Sequence, residues 1–569
     1  EKLYKLGIIA LHLYVKRLSI LFIISFSFIQ SQEPMAIKAG IPPLQGEYPG
    51  YLNVLHYNVE IGIGKNSDWF EGYASIILLV EKDKPKLSLD FTGLYLDDLL
   101  INGNKIKYKY INGVIKVNLY KYKRGETIVV DIRYHGIPDD GLIINKNIHG
   151  DPTIFVDNWP NRTRFWLPSI DHPYDKATVN YTIHAPVEWK VIANGYRVSS
   201  PIPSLNNAIG PKEDRLTWEW NVTVPIPTYN MVFGAGKMDV ELLGYAACDQ
   251  SPASQRQDNC VEVSLWVYPE DKIKAKDSFR RAVNMVDYFT KTIGPFPFEK
   301  LANVQSSTRF GGMENASAIF YSEKSIGKGR NIEGTVSHEI AHQWFGDSVT
   351  EADWNHLWLS EGFATYFGNL FFEVEDGQKI FQDKMENNRK RIVNSINTNR
   401  PIIDPENKDL FKLLNSNNYP KGGWVLHMLR GYMGDELFFN GIRKYYELYK
   451  YKTAMTKDFQ SVMENIKGEN LDWFFEQWLY KPGFPIISYE EKWNYSEGSN
   501  GSLSVKISQI QKNEWPIFIL PTEICWGKEN CKSIRIDKRI QSYKFNFESK
   551  PQKIGVLDPK GLILKDIPN

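Results

Sequence analysis

Residues 335–368 read TVSHEIAHQWFGDSVTEADWNHLWLSEGFATYFG and contain His338-Glu339-x-x-His342, with a further carboxylate at Glu361. On a helix, histidines four residues apart leave one face about one turn from each other and can share a metal ion, with Glu339 beside them. Imidazole nitrogens and a carboxylate oxygen suit zinc. Three protein ligands leave a fourth position for water, the pattern of a catalytic rather than a structural site. Zinc lowers the pKa of a bound water from ~15.7 towards ~7, so a carboxylate at position 339 can take its proton at neutral pH. The stretch therefore predicts a metal-dependent hydrolase with one Zn2+ per chain.

The third ligand is less constrained by spacing, since Asp347, Glu351, Asp353 and His356 lie in the same segment. Glu361 fits best. The apolar run Leu359–Phe372 predicts a second helix whose early turn carries Glu361 inward, and the polar stretch 346–355 makes the connection. Upstream, Gly311-Gly312-Met313-Glu314-Asn315 lies 23 residues before His338. Its glycines let the backbone come close to a ligand, and Glu314 can meet a cation. Downstream, Tyr419-Pro420-Lys421-Gly422-Gly423 precedes the apolar helical run Trp424–Leu429. Its phenol either reaches the metal or packs.

With these three segments together, the chain resembles the M1 family of zinc aminopeptidases, the gluzincins that include aminopeptidase N, aminopeptidase B and leukotriene A4 hydrolase. GGMEN at 311–315, HEIAH at 338–342 with eighteen residues before Glu361, SEG at 360–362 and YPKGG at 419–423 carry the likeness. WLYKPGFP at 478–485 resembles the family's exit from its catalytic domain, and RFWLPSIDHPYDKA at 164–177 its N-terminal domain signature. The resemblance implies that His338, His342 and Glu361 hold zinc, that Glu339 activates water and that Tyr419 stabilises the oxyanion. Glu314 would bind the substrate's free α-amine, while Gly311, Gly312, Met313 and Asn315 line up the peptide. A charged amine held at a fixed distance from zinc acts as a ruler, so cleavage follows residue one.

Two departures from the family pattern stand out. A second amine-binding Glu or Gln is usual about ten residues before the 168–171 segment, whereas here the window reads Asp157-Asn158-Trp159-Pro160-Asn161. Asn158 or Asn161 is the expected substitute, or the grip on the amine is looser. The Asp and Tyr that leukotriene A4 hydrolase carries eight and five residues before its catalytic Tyr are Phe411 and Leu414 here, which argues against epoxide hydrolysis.

At 569 residues the chain exceeds what one core supports and predicts three domains. The expected fold is multidomain α+β: a β-rich domain over 45–269, a thermolysin-like, mostly helical catalytic domain over 270–482 and a C-terminal β-sandwich over 483–569. Period-two alternation such as Val261-x-Val263-x-Leu265-x-Val267 marks the first, and helical periodicity from Glu270 the second. Net charge is +1, from 68 basic and 67 acidic residues, so nothing favours a nucleic-acid partner. Lys16-Arg17 followed by the apolar run 18–29 has the form of a secretory signal over 1–31, too short for a comfortable span. That predicts export without a stable membrane span once the signal is removed, or a membrane-anchored protein if it stays. In an exported chain, Cys248 with Cys260 and Cys525 with Cys531 read as two local disulfides.

No G-x-S-x-G, P-loop or G-x-G-x-x-G occurs, so serine hydrolysis, nucleotide hydrolysis and dinucleotide chemistry lack support. An aminopeptidase acting on peptides with a free N-terminus needs Glu314 and the metal site together. A thermolysin-like endopeptidase needs the metal site only, and a non-catalytic binding protein on the same scaffold would be expected to have lost Glu339 or a ligand.

Overall fold

Strict alternation along Phe70–Val80, with every second side chain buried, puts one face of a nine-stranded sheet against the core. The structure, a computed structural model, describes residues 51–494, 501–526, 531–547, 554–557 and 565–568. The apolar run at 18–29 and the signal proposed for 1–31 lie outside them. Leu52–Gly62 sits inside the large sheet, antiparallel to Phe70–Val80 and parallel to Lys176–Pro186. Four- and three-stranded sheets complete the N-terminal β-rich domain.

A five-stranded sheet follows, in the order Asp239–Ala246, Val261–Val267, Lys300–Ser306, Ala318–Ser322, Gly312–Met313. It crosses position 270, where the periodicity switches. The first two strands alternate like the domain before them yet hydrogen-bond into the catalytic sheet, Glu262 opposite Lys300 and Trp266 opposite Val304. The switch at 270 therefore falls inside one sheet, where the helix Lys272–Phe279 begins. A disulfide joins Cys248 to Cys260 across the loop between those strands.

The helical periodicity from Glu270 gives Lys272–Phe279 and Ala282–Thr292, the histidine motif lies on Glu333–His342, and the runs at Leu359 and Trp424 fall in the helices Trp358–Glu375 and Gly422–Met433. In the C-terminal β-rich region, Ile486–Asn494, Gly501–Gln509, Ile540–Phe547 and Lys565–Pro568 form one sheet. Leu520–Trp526, Cys531–Ile536 and Ile554–Leu557 form a second. Cys531 is disulfide-bonded, and its register partner across the strands is Cys525. The chain enters this region through Gly483 (φ 92°), where a Cβ would stand 2.3 Å from the Trp515 ring. Only glycine allows both that conformation and that approach. Among the described residues no helix is long and apolar enough to cross a membrane.

Candidate active site

Two helices and one turn bring the site together, and glycines set how closely they approach. His338 and His342 stand on Glu333–His342, and Glu361 is in the first turn of Trp358–Glu375. A Cβ on Gly368 would lie 3.1 Å from the His338 Cα, and one on Gly362 only 2.9 Å from the Gly422 carbonyl carbon. The Gly422-Gly423 pair and the Gly of the SEG triplet therefore serve backbone-to-backbone packing of the helices. Tyr419 sits in a π-turn, Asn417–Lys421, just before the helix Gly422–Met433. Such wide turns are frequent at functional sites.

His338 Nε2, His342 Nε2 and Glu361 Oε2 form a triangle with edges of 3.1, 3.2 and 3.2 Å. The corners of such a triangle lie about 1.8 Å from its centre, a spacing that suits the ~2.0–2.1 Å of zinc–nitrogen and zinc–oxygen bonds, so these three residues would hold the ion. Glu339 also comes within 4.8 Å of both imidazoles. Glu361, whose one oxygen caps both nitrogens, is the better third ligand. The His342 Nδ1–H donates to the Phe345 carbonyl at 3.0 Å, which leaves Nε2 with its lone pair towards the metal. Tyr419 donates its hydroxyl to Glu361 Oε1 at 2.7 Å.

The charge distribution also fits a cation. Glu314, Glu339, Glu361, Asp347 and Glu351 are all buried, and neither Glu351 carboxylate oxygen has a hydrogen-bond partner among the described residues. The cationic side chain acting on this group from the N-terminal domain is Lys176, which donates to the Asp347 and Ser348 carbonyls. Burial holds its pKa down to about 7, although Asp347 and Glu351 oppose this. Burial raises Glu314 to about 7, with Glu361 adding repulsion against the pull of His342. Glu361 falls to about 2 despite burial, because His342 and His338 stabilise its charge. Buried carboxylates in excess of cations are unfavourable unless a metal or ligand cation compensates.

The cavity over these groups has a volume of about 400 Å³ and is walled by Gly311, Gly312, Met313 and Glu314 on one side. Gly312–Met313 is an edge strand, pairing with Tyr321 and Phe320 on one side only, so its other side can take an extended peptide. Gln343 fixes this strand to the zinc-motif helix. Its Nε2 donates to the Glu314 carbonyl (2.8 Å) and to Asp347 (2.7 Å), while its Oε1 accepts from Ser317 N (2.8 Å). A Cβ on Gly312 would stand 2.2 Å from Glu339 Oε1. Gly312→Ala should therefore displace Glu339 and lower kcat by at least tenfold, because small displacements of a reacting group are costly, with zinc content unchanged. Wild-type kcat in that variant would show that Glu339 moves aside freely.

Some expected residues lie elsewhere. Asn315 is fully buried and does not line the cavity. Asn158 cannot hold an amine: its Nδ2 donates to the Thr228 and Met231 carbonyls and its Oδ1 accepts from Trp166 Nε1. Asn161 is buried off the cavity as well. Their window offers Trp159 instead, edge-on to Phe310 (6.0 Å) and Phe411 (5.8 Å). Of the alternative ligands, Asp347, Glu351, Asp353 and His356 do not line the cavity. Sequence reasoning missed Gln343, Trp159, Phe310, Asn388 and Arg391. Gln343 directly follows His342 and Trp159 lies inside the 157–161 window; the others come from distant segments with no signal.

Residues 278–478 match the Peptidase family M1 domain and residues 53–230 the Peptidase M1 N-terminal domain. The chain is 24% identical to the "Probable aminopeptidase 1" of Sulfurisphaera tokodaii over 526 residues, covering 89% of this chain and 62% of that protein. It is 27% identical to the "Tricorn protease-interacting factor F2" of Thermoplasma acidophilum over 431 residues, 72% of this chain and 51% of that one. The chain thus spans between half and two thirds of the length of these curated relatives. A crystal structure of an M1 zinc metallopeptidase from Deinococcus radiodurans shares the fold with a TM-score of 0.65 at 22% identity, covering 76% of this chain and 94% of that one.

Proposed function

The chain belongs to peptidase family M1, and from that premise we propose that it is a zinc aminopeptidase removing the first residue from peptides with a free α-amine. The observation that carries this is Glu314, a buried carboxylate lining the same cavity as His338, His342 and Glu361. Zinc held by those three residues would supply a Lewis acid that makes water acidic and polarises the scissile carbonyl. Glu339 takes the proton from the attacking water and passes it to the leaving amine. Burial holds Glu339 above the usual carboxylate range, with Glu314 and Glu361 adding repulsion against the pull of His342. Tyr419 stays protonated, since burial and Glu361 push its phenol up, and it donates to the carbonyl oxygen as charge builds there. Trp159, Phe310 and Leu414 give the cavity apolar walls.

We also propose export, on the apolar run 18–29 that follows Lys16-Arg17 and on the close spacing of Cys248 and Cys260. The sheet that begins at Asp239 supports a catalytic unit starting there.

Comparison of a peptide with its N-acetyl form separates this function from endopeptidase activity. Acetylation removes the ammonium, forfeits a charge-assisted contact worth about 1.5–3 kcal/mol and leaves Glu314 unpaired. We expect kcat/KM to fall by at least a hundredfold on acetylation, and Glu314→Ala to fall steeply on the free peptide. Efficient internal cleavage of the acetylated peptide would establish a thermolysin-like endopeptidase instead.

A further inference from the structure

A second cavity, of about 490 Å³, shares no lining residue with the zinc site. It lies where the N-terminal domain meets the catalytic sheet. Trp218 and Trp220 line it from one face of the strand Arg215–Pro227, and Ser264 and Trp266 from one face of Val261–Val267. Lys300, on the neighbouring strand of the catalytic sheet, joins the two sides. Its Nζ stands 5.0 Å from the centre of the Trp220 ring and donates to the Ala193 carbonyl at 2.8 Å and the Ser317 carbonyl at 3.2 Å. The loop closed by the Cys248–Cys260 disulfide adds Gln255 and Arg256 to the wall. A space of ~300–1,000 Å³ with aromatic walls and a few polar groups, set between domains, is the usual form of a small-molecule site.

The charges of this cavity leave two cations over. Both lining carboxylates belong to Lys300, since Glu262 is its register partner and Glu299 precedes it in the chain. Arg256 pairs with Asp258 at 2.8 Å. Lys190 and Arg197 have no side-chain hydrogen-bond or ion-pair partner among the described residues. Arg197 is the register partner of Trp220, so the guanidinium and that indole share a face. The Nε1 groups of Trp218 and Trp220 are buried without an acceptor among the described residues, which native folds rarely leave uncompensated.

We propose that this cavity binds a small aromatic carboxylate, its ring against Trp218, Trp220 and Trp266 and its carboxylate on Arg197 and Lys190. Indole rings pair with another ring edge-on or offset. A guanidinium takes a carboxylate through two parallel bonds. A free aromatic amino acid and an aromatic acid without an amine share this chemistry.

The test is calorimetry on the zinc-loaded protein with indole-3-propionate, its amide and cyclohexanepropionate. The acid should bind about tenfold more tightly than the amide, the effect of one charge-assisted contact, with the gap narrowing as salt is added. It should also bind more tightly than the cyclohexyl acid, which keeps the charge and lacks the flat ring. Arg197→Gln should remove most of the gap between acid and amide, Lys190→Gln a part of it, and Arg197→Lys should keep a part. Arg197 is exposed and Lys190 half-buried, so these variants should fold and turn over peptide like the parent. A carboxylate bound at the zinc would not respond to them. Absence of binding at millimolar acid, equal binding of acid and amide, or an affinity that survives the double replacement of Arg197 and Lys190 would overturn the proposal. Displacement of the bound acid by L-tryptophan would identify a free amino acid as the occupant, and its failure an acid without an amine.

Discussion

Glu339→Gln is expected to retain zinc and lose nearly all hydrolysis. Glutamine has the same shape, so it fills the space against Gly312 that the carboxylate occupies, and the triangle of His338, His342 and Glu361 does not involve it. What is lost is the proton acceptor. General base catalysis contributes about 10²- to 10⁴-fold, and kcat should drop by that factor. Metal analysis and turnover on the same preparation decide between roles. Loss of zinc along with activity would make Glu339 a ligand, and turnover within a few fold of the parent would leave it no role as a base.

Tyr419→Phe should lower kcat by about 10²- to 10³-fold with little change in KM, the usual effect of removing one donor to a developing oxyanion. The hydroxyl donates to Glu361 Oε1 in this structure, so a second outcome has to be separated. If that bond mainly holds Glu361 in place, the variant loses zinc affinity and regains activity at high zinc. If the phenol meets the transition state, zinc affinity changes little and added metal restores nothing. Unchanged kcat would return Tyr419 to a packing role, consistent with its ring lying parallel to that of His338 at 5.9 Å.

The zinc motif is legible in the sequence because helical geometry dictates it. Residues four apart on one helix share a face, so His338 and His342 converge whatever the rest of the chain does, and a helix starting near Leu359 delivers Glu361. Alternation exposes the N-terminal sheet for the same reason, since one of its faces is solvated. The catalytic sheet hides itself: Lys300–Ser306 is buried at every position, pairs in parallel on both sides and so has no period-two pattern. The purpose of the glycines is also illegible in sequence. Gly312 makes room for Glu339, and Gly362 for Gly422, neighbours 27 and 60 residues away in sequence. Asn158 suits an amine by type and position, yet Thr228, Met231 and Trp166 use both ends of its amide. The sequence by itself determined the family and the spacing that brings His338, His342 and Glu361 together, because those depend on motif residues and on geometry within single helices. Tertiary structure alone decided which polar groups beside the cavity are already used by partners, Asn158 among them, because hydrogen-bond satisfaction depends on groups that only folding brings near.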